Sequence, residues 1–208
     1  MSNQAFTDLV KSRRSANKFI PDTPITDQEI DQIFSLVKFA PSAYNLQHAN
    51  YIVVREEENK QKVYEAAYKQ YKILTASAVI VVLGNKKAYE DVEKLNEGML
   101  NLGILSKQEF DRQIEIVHQD YAARGDDFMR DEAIRNASLS AMQLMLIAKD
   151  QGWDTCPMIG FDAKALTSAL EITDEYEPVL LIAIGKEDIS KPRPRGYRKP
   201  VGEFVKMM

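Results

Sequence analysis

The sequence predicts an α+β domain, and three observations carry that expectation. Two continuous apolar runs, Ala78 to Leu83 and Pro178 to Ile184, are too short for buried helices and fit strands covered on both faces. Thr26-Asp27-Gln28-Glu29 has the S/T-x-x-E form of a capping box and opens a helical repeat at Ile30, Ile33, Phe34 and Val37. Asp131 to Gln151 is rich in small and apolar residues on nearly all sides after Ala137, as a central helix would be.

In chain order, a helix is expected over Phe6 to Lys11, followed by the capped helix, which Pro41 ends. Tyr51 to Arg55 reads as a strand, and Glu57 to Tyr71 as a polar helix with Val63, Ala66, Ala67 and Gln70 turned inward. Gly84-Asn85 stops the strand from Ala78. Residues 88 to 130 are charged and mostly helical, with Gly98, Gly103 and Gly125 as expected breaks. Gly152 closes the central helix. Trp153 to Cys156 is a short strand, Ala163 to Leu170 a helix, and Gly185 ends the last strand. The tail from Lys191 to Lys199 holds five basic residues and no acid, and Pro192, Pro194 and Pro200 make it extended. Without repeats or linkers, residues 1-208 are expected to form one domain.

Composition narrows the function. The formal net charge of -4 argues against a dominant nucleic-acid role, so a phosphate site must be local. One cysteine, Cys156, rules out an internal disulfide and fits a reducing compartment. No signal-like apolar run opens the chain and no stretch is long enough to span a bilayer, so the expected location is cytoplasmic. His48 and His118 lack metal-ligand spacing, and neither a P-loop nor G-x-G-x-x-G is present. His48 could border a pocket but reads first as an ordinary turn histidine, Cys156 reads as a buried small hydrophobe, and Phe110, Tyr121 and Phe128 could wall a substrate pocket but read first as core or interface packing.

Two segments carry the chemistry. Arg13-Arg14-Ser15 offers guanidinium forks and a hydroxyl suited to a phosphate, although a solvated helix end would look the same. Pro41-Ser42-Ala43-Tyr44-Asn45-Leu46-Gln47 offers amide and hydroxyl groups that could meet a heteroaromatic edge or satisfy their own turn.

Together, R-R-S-x-x-x-F and P-S-A-x-N-x-Q resemble the signatures of the FMN-dependent nitroreductase family. The resemblance continues in order through Tyr71 to Ala78, Asn136 to Gln143, Gly152 to Asp162 and Tyr197 to Pro200. It implies a nitroreductase-like fold: a mostly antiparallel central sheet flanked by helices, a long central helix, an extended C-terminal tail and a homodimer. It further implies that Arg13 and Arg198 grip the FMN phosphate, with Ser15 and Arg14 assisting. Asn17 would lie near the pyrimidine edge, where many relatives carry Arg or Lys, and Lys72 could supply the missing cation. Lys69 stands where relatives often have Asn. Pro41, Ser42, Ala43, Asn45 and Gln47 would reach FMN from the partner subunit, and Ile159 and Gly160 would offer backbone N–H groups to the N5 and O4 side. Gly160 permits close backbone approach.

The implied activity is NAD(P)H oxidation by ping-pong hydride transfer through flavin N5 to nitroaromatic, quinone or similar electron-poor acceptors. The protein would contribute positioning at roughly 3–3.5 Å and electrostatic tuning, with no catalytic side chain of its own. Two other readings stay open: dehalogenation or dehydrogenation on the same fold, and a non-catalytic FMN-storage module. The basic tail could also serve an anionic partner.

Overall fold

The computed structural model describes residues 4–190 and 194–208. The element order is α1 (Gln4–Ser12), α2 (Asp27–Val37), β1 (Ala49–Val54), α3 (Glu57–Ala66), α4 (Lys72–Thr75), β2 (Ala78–Asn85), α5 (Val92–Asn101), α6 (Lys107–Asp150), β3 (Asp154–Met158), α7 (Ala163–Ala169) and β4 (Tyr176–Gly185). The four strands form one antiparallel sheet in the order β1-β2-β4-β3.

β2 up to Gly84 and β4 from Leu181 onward are buried on both faces, which is why they read as apolar runs. Val79, Val81 and Leu83 of β2, with Leu181 and Ala183 of β4, pack under Val63, Ala67, Ile73 and Leu166 of the α3, α4 and α7 side. The alternate residues Ala78, Ile80 and Val82, with Ile182 and Ile184, pack under Ile33 and Val37 of α2 and Ala137, Ala141 and Leu144 of α6. The small-residue face of α6 lets β2 approach closely: a Cβ built on Gly84 would lie 2.6 Å from the Ala133 carbonyl oxygen.

The capping box at Thr26 is present, the Thr26 hydroxyl accepting from the Glu29 N–H and the Glu29 carboxylate accepting from the Thr26 N–H. Four expectations need correction. Gly84 and Asn85 do not stop β2, which stays paired through both residues. Helix α3 ends at Ala66, not Tyr71, because Tyr68 and Lys69 adopt left-handed conformations at φ 52° and 58°. Helix α2 ends at Val37, before Pro41 could stop it. Gly98 lies inside α5 without breaking it, whereas Gly103 at φ 68° follows that helix. Gly125, at φ 73° and ψ -170°, makes the expected break as a kink inside α6, after which the helix resumes and runs on to Asp150. A second capping box, Ser106 with Glu109, starts α6.

Residues 88–129 form a hairpin of α5 and the first part of α6. Its small core joins Val92, Val117 and Tyr121 to Leu46, with Phe128 packed against it, and Phe110 is also buried. The tail has no regular secondary structure from 194 to 200, then makes a short 3-10 turn over Val201–Glu203. The expected basic stretch falls partly outside the described residues, at Lys191, Pro192 and Arg193.

Candidate functional site

The N-terminal signature lies along the β3 edge of the sheet. Ser15 bridges Thr155 in parallel, and the Ala16 N–H donates to the Thr155 carbonyl at 2.9 Å. Phe19 fixes the far end: it is buried against Gly185, where an added Cβ would lie 2.8 Å from its ring, and it bridges Glu187. This packing gives the phenylalanine of R-R-S-x-x-x-F a physical role, since it holds the backbone that aims Arg13 and Ser15.

Arg13 is the centre of a cationic group. Its pKa is held below the ordinary arginine value, first by burial and then by the guanidinium groups of Arg195 and Arg198. Arg195 ties the tail to this corner by donating to the Lys11 carbonyl and, at 3.0 Å, to the Arg13 carbonyl. Arg198 donates to the carbonyls of Gly196 and Tyr197 at 3.0 and 2.9 Å. No carboxylate pairs with these three guanidiniums among the described residues. Like charges held together without a counter-charge are costly, and an anion placed between them removes that cost.

Arg14 is arranged differently. Its side chain meets Glu187 at 3.2 Å, and the same carboxylate accepts from the Asn17 N–H at 3.3 Å. Glu187 thus braces the segment from below. Sequence reasoning missed it, because one acid after a strand end carries no signal.

Beyond Met158, Ile159 is 83% exposed and Gly160 is also exposed. Neither backbone N–H has a hydrogen-bond partner among the described residues. Gln70 donates to the Gly160 carbonyl at 2.8 Å, and a Cβ on Gly160 would come within 3.3 Å of that amide nitrogen. Gln70, expected to face the core, therefore orients this turn. Lys72 extends to the same strand, its ammonium 3.2 Å from the Cys156 sulfur. Lys69 is exposed and pairs with Glu65 at 3.6 Å.

The second signature lies at the opposite edge, between α2 and β1. Tyr44, Asn45 and Gln47 all take left-handed conformations, at φ 51°, 56° and 52°. Non-glycine residues held there cost about 1–2 kcal/mol each, so the loop needs bracing. The Ser42 hydroxyl accepts from the Gln47 N–H at 2.9 Å, and the Asn136 side-chain oxygen accepts from the Ala43 N–H at 2.8 Å. Leu46 is buried in the hairpin core. The side chains of Asn45 and Gln47 are exposed, and their carboxamides make no hydrogen bond among the described residues. Pro41, Ser42 and Gln47 line a cleft of about 360 Å³ with Asn50, Tyr51 and Ser140.

His48 also lines this cleft, and it is 0% exposed, not the ordinary turn histidine expected. Its Nε2 lies 3.0 Å from the Tyr121 hydroxyl, while Nδ1 has no partner. Burial lowers its pKa to about 4 and raises that of Tyr121 to about 12, so both are neutral near pH 7.

The structure therefore gathers Arg13, Ser15, Lys72, Ile159, Gly160 and Arg198 at one edge and Pro41 to Gln47 at the other. Ser15 lies one step beyond β3, so four strand spacings of ~4.8 Å separate it from β1, roughly 19 Å. Among the described residues, no cluster of His, Cys, Asp and Glu could hold a metal ion, and no helix is long and apolar enough to cross a membrane.

The sequence model of the nitroreductase family matches residues 10–186. MhqN of Bacillus subtilis, provisionally named an NAD(P)H nitroreductase, is 53% identical over 203 residues, covering 98% of each chain. A provisionally named nitroreductase from Exiguobacterium sibiricum, solved in complex with FMN, superimposes with a TM-score of 0.88 at 29% identity. That match covers 100% of this chain and 98% of the other. A CLA biosynthesis enone reductase of Lactiplantibacillus plantarum is 28% identical over 187 residues, covering 88% of this chain and 86% of that one.

Proposed function

The chain belongs to the nitroreductase family, and we propose that it is an FMN-dependent NAD(P)H oxidoreductase acting on nitroaromatics, quinones and similar electron-poor acceptors. The observation that carries this reading is the group of Arg13, Arg195 and Arg198, which no carboxylate pairs among the described residues, on the same sheet edge as the N–H groups of Ile159 and Gly160, which lack partners among those residues. A dianionic phosphate fits the first feature. A heteroaromatic ring edge with acceptor atoms fits the second, so the donor set suits FMN.

When bound, FMN would supply the redox chemistry, hydride transfer between NAD(P)H and an acceptor in two half-reactions. The chain's residues bind and orient. Arg13 and Arg198 neutralise the phosphate and Ser15 adds a hydroxyl; Arg14, engaged with Glu187, contributes through its backbone. The N–H groups of Ile159 and Gly160 fix the ring edge, and Gln70 holds that turn in place. Lys72 sets a positive charge beside the ring in place of the cation that Asn17 lacks. Asn45 and Gln47 bring carboxamides to the ring and exclude water. The likeness to an enone reductase supports a broad acceptor range, since an enone is also electron-poor.

In this reading the two halves come from different subunits, because one chain holds them at opposite edges of its sheet. An open apolar groove of about 760 Å³, lined by Phe6, Leu9, Leu36, Phe39, Leu139 and Met142, supports a homodimer. A single domain and a cytoplasmic location belong to the same proposal.

Subunit mixing tests it. Arg13→Ala and Asn45→Gly homodimers should each bind FMN poorly. After mixing, each heterodimer should recover one intact site, Arg13 coming from one chain and Asn45 from the other. Recovery of about one FMN per heterodimer is expected; no recovery would place both residues in one chain's site and defeat the reading.

A further inference from the structure

Lys72 is half-buried at the start of α4, and no carboxylate pairs with its ammonium among the described residues. The hydrogen bond it does make is to the Cys156 sulfur, at 3.2 Å. Cys156 is 4% exposed in β3, three residues before Ile159, within the core that includes Ile73 beside Lys72. A thiol is a weak neutral acceptor. It can hold the ammonium in place without cancelling its charge, which a carboxylate would do.

We propose that Cys156 is a positioning residue that holds the Lys72 ammonium toward the ring of bound FMN and thereby raises the flavin's reduction potential; the proposal rests on the cofactor reading above. Adding two electrons and one proton to neutral FMN leaves one negative charge on the ring. A fixed cation therefore favours the reduced form over the oxidised one. An ammonium released from Cys156 would turn to solvent and lose most of that effect.

The test is the midpoint potential of the bound flavin, measured anaerobically against reference dyes. Cys156→Ala should weaken the preference for reduced flavin about tenfold, which is about 30 mV lower for a two-electron couple. Cys156→Ser keeps an acceptor and should stay near wild type. In a Lys72→Met background, Cys156→Ala should add no further shift. If the alanine cavity unfolds β3, Cys156→Val fills the space without an acceptor and carries the same expectation. An equal shift with and without Lys72 would mean that the thiol acts through packing, and would overturn the proposal. A wild-type protein that takes up no FMN overturns the cofactor reading and this one with it; bound FMN with an unshifted potential overturns this one alone.

Discussion

Replacing Asn136 with alanine tests whether the shape of the 41–47 loop is what the cofactor meets. Asn136 is buried on α6. Its oxygen accepts from the Ala43 N–H at 2.8 Å, and its amide donates to the Glu132 carbonyl at 2.8 Å and the Glu132 carboxylate at 3.2 Å. Removing it leaves the Ala43 N–H without a partner. The loss is about 1–3 kcal/mol for a buried donor, and toward the lower end here because Ala43 is only half-buried and water can reach it. The larger consequence is for the loop. Tyr44, Asn45 and Gln47 are held in left-handed conformations by three braces: Asn136, the Ser42 hydroxyl and buried Leu46. With one brace gone the free loop relaxes, and binding must restore the bound shape. A cost of about 1.4 kcal/mol corresponds to a tenfold rise in the FMN Kd. FMN titration by fluorescence and urea unfolding of the flavin-free protein should show both losses. Lowered stability with an unchanged Kd would refute the reasoning, because it would separate the loop's shape from binding.

Three further outcomes are expected. Arg13→Ala should abolish most of the preference for FMN over riboflavin, while the flavin-free fold is no less stable, since like-charge repulsion is relieved; an unchanged FMN-to-riboflavin affinity ratio would count against the phosphate assignment. Gly84→Ala should cost about 1–3 kcal/mol in urea unfolding, because its Cβ would press on the Ala133 backbone at 2.6 Å. His48 gives a pH dependence. Its folded pKa of about 4 lies below the unfolded value of 6.5, so the unfolded chain binds the extra proton between those limits. Stability from this group is complete above pH 6.5 and is lost as pH falls toward 4, by about 3 kcal/mol in all. Urea midpoints across that range should slope less in His48→Gln; an equal slope would assign the effect to other groups.

Much of the fold was legible because burial on both faces leaves uninterrupted apolar strands and because the Thr26 capping box uses a fixed spacing. The misplaced end of α3 came from Tyr68 and Lys69, non-glycine residues whose left-handed backbone has no sequence signature. Gly98 misled in the opposite direction, since a helix tolerates one glycine at modest cost. The start of α6 was findable: Ser106 to Glu109 repeats the S-x-x-E spacing. In the candidate site, the hydroxyl, amide and arginine residues stood out by type. Their bracing did not, because Glu187, Gln70 and Asn136 act through contacts 170, 90 and 93 residues away in the chain. Nor could sequence order reveal that the two signatures, close in the chain, stand at opposite edges of the sheet.

The most direct test of the central claim is the visible spectrum of the purified protein after incubation with FMN and removal of the excess, followed anaerobically through addition of NADH or NADPH. The account expects retained flavin absorbance that bleaches on adding the nucleotide and returns when a nitroaromatic or quinone is supplied. Protein that retains no flavin, or retained flavin that neither nucleotide reduces, would contradict it.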